Sequence, residues 1–229
     1  MNRKTAVFLT CLIASASSAV AQLRPRPYDA VAVRRTAVEV QRRIADIQRG
    51  VGAPGGDESG LGELAQFLVE SLMTVDARSP IDSEVLDALA AMAGTGWMVE
   101  DALLARKELA VPALIRSAKT VGGLSGQRKG AMDTLEQMLE RPEIEQSLSV
   151  PSKSAIHRLA QDTLADPTLE YSEVGSAGYL AIATRDPALR AIAARLLQPE
   201  ELRRRRVDPS FHEWTIEVIG QALAKFSLP

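Results

Sequence analysis

Carboxylates are plentiful in this chain, whereas histidine and cysteine are scarce. Its 229 residues hold two histidines, His157 and His212, and one cysteine, Cys11. His212-Glu213-Trp214-Thr215-Ile216-Glu217 is the best local cluster. A zinc-protease helix needs histidines at i and i+4, and position 216 is isoleucine, so that motif is absent. His212 and Glu213 are adjacent and point in different directions on a helix, which favours a capping or surface role. The rival is a hydrolase-type site in which His212 and a carboxylate of another helix share acid–base work in a cleft. His157 reads as a partly exposed helix residue between Ile156 and Arg158. There is no Gly-x-Ser-x-Gly elbow and no phosphate loop ending in Lys-Ser or Lys-Thr. GGLSGQRKG (122–130) is glycine-rich and basic, but without the phosphate-loop spacing it reads as a turn that opens a helix. No catalytic residue, metal ligand set or cofactor is expected.

Arg203-Arg204-Arg205-Arg206 is the one unusual charge feature and the candidate binding site. Four guanidinium groups suit a carboxylate-rich or phosphorylated partner, such as an anionic envelope polymer. The plainer reading is that the run caps a short helix and neutralises Glu200, Glu201 and Asp208.

Several segments must position these residues. Met1-Asn2-Arg3-Lys4, an apolar stretch from Thr5 to Ala14 and small residues ending Ala19-Val20-Ala21 form the pattern of a secretory signal peptide over 1–21. The apolar run is well short of the ~20 residues a spanning helix needs, so no membrane span is expected after cleavage. The destination would be periplasmic in a Gram-negative source and extracellular otherwise. Removing 21 residues from 229 leaves 208 and takes away Cys11, so an oxidising compartment would meet no thiol. Residues 22–49 form a basic arm with seven arginines against three acidic residues. The rest of the mature chain is net acidic, which excludes a general nucleic-acid signature. Within the arm, Ala30, Val33, Ala37, Val40, Ile44 and Ile47 lie at spacings of three and four, a stripe suited to self-association or to packing across the end of the same domain. Asp29 is placed to cap that helix and Gly50 to end it. A glycine-rich linker, 50–60, follows.

From 61 to 229 the periodicity is helical throughout, and the 4% aromatic content fits closely packed helices rich in Ala and Leu. Helices are expected after Leu61, from Ser83, and at about 98–108, 112–121, 126–140, 152–165, 173–184, 187–197 and 209–226. Prolines 112, 142, 151, 187, 199 and 209 fall near helix starts, where the missing N–H does no harm. The fold class is therefore all-α. Antiparallel helix pairs stack as a short irregular α-solenoid with an N-terminal helical arm, or else close into a multi-helix bundle.

Asp186-Pro187-Ala188-Leu189-Arg190-Ala191-Ile192-Ala193-Ala194-Arg195-Leu196-Leu197 resembles the second helix of a HEAT repeat. Val111-Pro112-Ala113-Leu114-Ile115 looks like the start of a HEAT first helix. The resemblance to HEAT and armadillo repeats spans roughly 98–198 and implies an interaction surface, not a chemistry. The expected function is that of an exported, non-catalytic binding or scaffold protein holding a protein or an anionic envelope component. The hydrolase and an oligomer built through the 30–47 stripe are the alternatives.

Overall fold

The structure is a computed structural model that describes residues 28–50, 59–76, 79–95 and 98–226. The expected signal segment, Arg24–Pro27 and most of the glycine-rich linker lie outside the described residues. Every regular element among the described residues is helical. None of those helices is long and apolar enough to cross a membrane.

Helix α1 (Ala30–Gln48) starts where the Asp29 carboxylate accepts hydrogen bonds from the Val31 and Ala32 amides at 3.0 and 3.1 Å. It ends before Gly50, whose φ of +66° favours glycine. Val33, Ala37, Val40 and Ile44 are buried against α2 (Ser59–Met73) and α3 (Ser83–Ala91). Ile47 is half-buried and Ala30 exposed. The chain's own core thus covers most of the 30–47 stripe, the second of the two arrangements it was suited to. A tethered face meets its partner at a high effective concentration, so the internal contact forms first. Helix α2 begins at Ser59, inside the span expected for the linker.

The chain continues through α4 (Val99–Arg106), α5 (Val111–Lys119), α6 (Gln127–Glu140) and the one-turn α7 (Pro142–Glu145). It then forms α8 (Val150–Ala165), α9 (Tyr171–Ala183), α10 (Pro187–Ala194), the short α11 (Pro199–Arg204) and α12 (His212–Lys225). Proline occupies the first turn of α5, α7, α8, α10 and α11, so it starts helices without breaking them. Asp82 precedes α3, but its side chain makes no capping bond and lies 4.0 Å from the Arg34 guanidinium instead.

Contacts run between successive elements. Helix α3 packs on α4 and α5, α2 on α4, and α4 on α6. Helix α5 packs on α6 and α8, α6 on α9, α8 on α9 and α10, and α9 on α10 and α12. One continuous apolar core runs from Val33 to Phe226. Burying each of its fully enclosed leucines, among them Leu68, Leu89, Leu114, Leu135 and Leu159, stabilises the fold by roughly 1.5–3 kcal/mol.

Two devices lock the frame. The 122–130 segment is a packing element. A Cβ on Gly130 would lie 2.1 Å from the Gly94 nitrogen, so α6 meets the end of α3 only without a side chain there. The second device is arginine on helix C-termini. Buried Arg106 donates to the carbonyls of Leu72, Val75 (3.0 Å) and Asp76 (2.7 Å) where α2 ends. Arg128 donates to the Ala118 carbonyl at 3.2 Å and to Asp166 at 2.8 Å, and it faces Glu173 at 3.5 Å. Arg190 donates to the carbonyls of Phe226 and Leu223 at 2.6 and 2.9 Å. Each satisfies the orphan carbonyls that a helix terminus leaves.

Candidate functional site

A cavity of about 570 Å³ opens where α6, α7, α8 and the α9–α10 turn meet. Helix α8 supplies four of its nine lining residues, and Glu108 sets that helix in place. The Glu108 carboxylate accepts from the Ser149 amide (3.0 Å), the Ser149 hydroxyl (2.6 Å) and the Ser152 hydroxyl (2.7 Å). The Ser149 hydroxyl in turn accepts from the Ser152 amide and caps α8. Helical spacing then puts Lys153 beside His157 and Ser154 beside Arg158 on the face that lines the cavity. Leu139 and Ala183 contribute apolar surface, and Thr184 and Arg185 close the side formed by the turn.

The charges fall into two classes. Lys153 pairs with Glu145 at 2.9 Å. The Nε2 atom of His157 lies 3.1 Å from the Asp186 carboxylate, which also accepts from the Leu189 and Ala188 amides at 2.9 and 2.8 Å. The Leu189 amide foremost, and then His157, holds the Asp186 carboxyl below the usual carboxylate range. Arg158 and Arg185 line the same cavity and pair with no carboxylate among the described residues. Arg185 has φ +60°, the left-handed region that usually takes glycine after a helix. The chain thus carries a guanidinium at a turn position where backbone preference alone favours glycine.

The residues singled out from sequence lie elsewhere. In the 203–206 run, Arg203 pairs with Glu200 at 3.1 Å, Arg204 with Glu201 at 2.7 Å, and Arg205 with Glu201 at 2.9 Å. Arg206 adopts φ +58° past the end of α11 and pairs with no carboxylate among the described residues. His212 is half-buried, its Nε2 2.9 Å from the Val207 carbonyl oxygen, and it does not line the cavity. Glu213 is exposed. Ile219 and Ala222 of α12 and Phe226 just after it are buried, whereas Trp214 rests against Gly175 and stays partly exposed.

A carboxyl pair on α6 is visible only in three dimensions. Glu140 accepts hydrogen bonds from Tyr179 of α9, at 2.8 Å, and from Lys225 of α12. Burial opposes the ionisation of Glu140, but Lys225 and Tyr179 outweigh it and hold its carboxyl below the ordinary range. Burial, then the charges of Asp133 and Glu140, push neighbouring Glu136 up to about 9. Burial and the hydrogen bond to Glu140 raise the Tyr179 phenol. Glu140 thus joins α6 to α9 and α12, with the raised Glu136 carboxyl beside it.

Sequence reasoning placed His157 on a partly exposed helix face but missed Asp186 as its partner and the cavity around both. The i, i+4 spacing of Lys153 with His157 and of Ser154 with Arg158 was the available signal. Nothing local to Asp186 in the sequence ties it to α8. No family model, curated protein or solved structure matches the chain. Among the described residues no group of three or more His, Cys, Asp or Glu side chains is arranged to hold a metal ion.

Proposed function

We propose that the chain is an exported binding or scaffold protein, a short irregular α-solenoid whose helix-pair surface holds an anionic partner. The observation that carries the reading is the cavity between successive helix pairs, with Arg158 and Arg185 in its wall and no carboxylate among the described residues pairing with them. Guanidinium groups left without internal partners suit recognition of carboxylate or phosphate oxygens. The order of contacts supports the solenoid. Helices α1, α3, α5, α8 and α10 follow one another as one row, and α2, α4, α6, α9 and α12 as a second. No substantial contact joins α1 or α2 to α9, α10 or α12, as closure into a bundle would require. The resemblance of 98–198 to HEAT repeats points the same way. Export rests on the signal pattern of residues 1–21.

A photo-cross-linking side chain at position 154, beside the cavity, tests the reading in intact cells. The expected result is a reproducible adduct from position 154 that is missing from a control at exposed Gln48, on α1. No adduct at 154, or the same adducts from both positions, overturns it.

A further inference from the structure

We infer that the cavity between α8 and the α9–α10 turn is a site for a phosphoryl group, gripped by Arg158 and Arg185. This rests on the binding reading above and narrows it to one chemical group.

Charge matching points to a dianion. Four basic side chains line the cavity. Lys153 is answered by Glu145, and Asp186 is engaged with His157 and two α10 amides, so Arg158 and Arg185, both exposed, are the two guanidiniums of the cavity that pair with no carboxylate among the described residues. A phosphate monoester carries close to two negative charges at neutral pH and presents three acceptor oxygens, enough for two guanidinium forks. A monocarboxylate would leave one guanidinium unanswered. The Ser154 hydroxyl adds a donor at the rim. Leu139 and Ala183 give the cavity an apolar surface that suits an organic body attached to the phosphate.

The backbone adds an independent observation. Arg185 sits at the left-handed position that ends α9, where glycine is the unstrained choice. Met98, Lys107 and Arg206 also have positive φ and lie away from the cavity, so it is the place of Arg185 in the cavity wall that gives its backbone relevance here. Arg185 stands one residue from Asp186, which both caps α10 and pairs with His157. The turn that aims the guanidinium is thereby tied to α8 on the other side of the cavity.

The test is titration calorimetry of the full chain with phenyl phosphate, inorganic phosphate and benzoate, plus sedimentation with vesicles of phosphatidic acid or of phosphatidylcholine alone. Phenyl phosphate should bind at least tenfold more tightly than benzoate. Arg158→Gln and Arg185→Gly should each weaken it at least fivefold, whereas replacing Arg203, Arg204, Arg205 and Arg206 together with glutamine should leave it unchanged. Arg185→Gly relaxes the backbone while it removes the guanidinium, so a loss of binding in that variant is not a folding defect. Tight phenyl phosphate binding with indifference to vesicles assigns a soluble phosphate ester. Binding to phosphatidic acid vesicles and not to phosphatidylcholine assigns a lipid headgroup. Either supports the site. Equal affinity for benzoate, phosphate binding insensitive to both variants, or no binding of phenyl phosphate or phosphatidic acid overturns it. If the position-154 adduct persists while no phosphate compound binds, this inference fails and the binding reading stands. Phosphate binding without any adduct reverses that outcome.

Discussion

The cavity beside α8 and the arginine run of α11 hold the same functional group in opposite circumstances. Arg203, Arg204 and Arg205 follow Glu200 and Glu201 by three or four positions, so the helix that concentrates their charge also neutralises it. Arg158 and Arg185 are 27 positions apart, on a helix and a turn, and the fold brings them to one cavity with no paired carboxylate among the described residues. Local density of charge is therefore a poor guide to available charge. What counts is whether the counterion lies within reach along the same helix. A third group, Arg106, Arg128 and Arg190, is spent on the frame, each on the carbonyls at the end of a helix.

If these three roles are distinct, substitutions should separate stability from binding. The largest effect belongs to the frame. Arg106→Met should lower the unfolding free energy in urea by about 3 kcal/mol, because it strips three carbonyls of their donor and leaves a buried site imperfectly filled. A loss below about 1 kcal/mol would erase the line between frame arginines and surface ones.

The carboxyl pair of α6 gives the next effect and a pH signature. Glu136 is raised in the folded chain above its ordinary 4.5, to about 9, so between those values the folded state keeps a proton that the unfolded state has released. This contribution to stability is present in full below about 4.5 and is lost as pH rises toward about 9. Glu136→Gln cannot titrate and should stabilise the protein by about 1–3 kcal/mol at pH 8, with little change at pH 4.5. Thermal melts at the two pH values check it, and a gain of equal size at both would place the cause elsewhere.

Arg185→Gly should raise stability by about 0.5–1 kcal/mol, since glycine accepts φ +60° without strain. A destabilised variant would mean that the guanidinium belongs to the frame. The smallest effect is expected in the run. Arg203→Gln with Arg204→Gln should change stability by about 0.5 kcal/mol or less, as exposed pairs three residues apart contribute little.

Much of the frame was legible from local rules. Asp29 caps α1 as its position requires, and Asp186-Pro187 opens α10 with both capping bonds in place. The heptad-like stripe of α1 marked a buried face correctly, yet it could not say against which chain that face packs. The answer came from α2 and α3, which pack against that face. The glycine-rich 122–130 segment showed its turn, whereas its role in the approach of Gly130 to Gly94 depends on a contact 36 positions back along the chain.

The site was less legible for the same reason. Helical spacing already put Lys153 with His157 on one face, and Ser154 with Arg158. It did not show that Glu145 would neutralise the lysine, that Asp186 would hold the histidine, or that Arg185 would face the same space. Those outcomes depend on the distance between separate helices, and only packing sets that distance.

The sequence by itself determined the helical class, the starts of most helices and the counterions of the 203–205 arginines. All of these arise from interactions within a few residues, whose geometry the backbone fixes. Only the tertiary structure decided that the α1 stripe is covered, that Glu136 stands beside Glu140 under Tyr179 and Lys225, and that Arg158 and Arg185 share a cavity. These features join residues distant in sequence, and their energies come into being only when the helices pack.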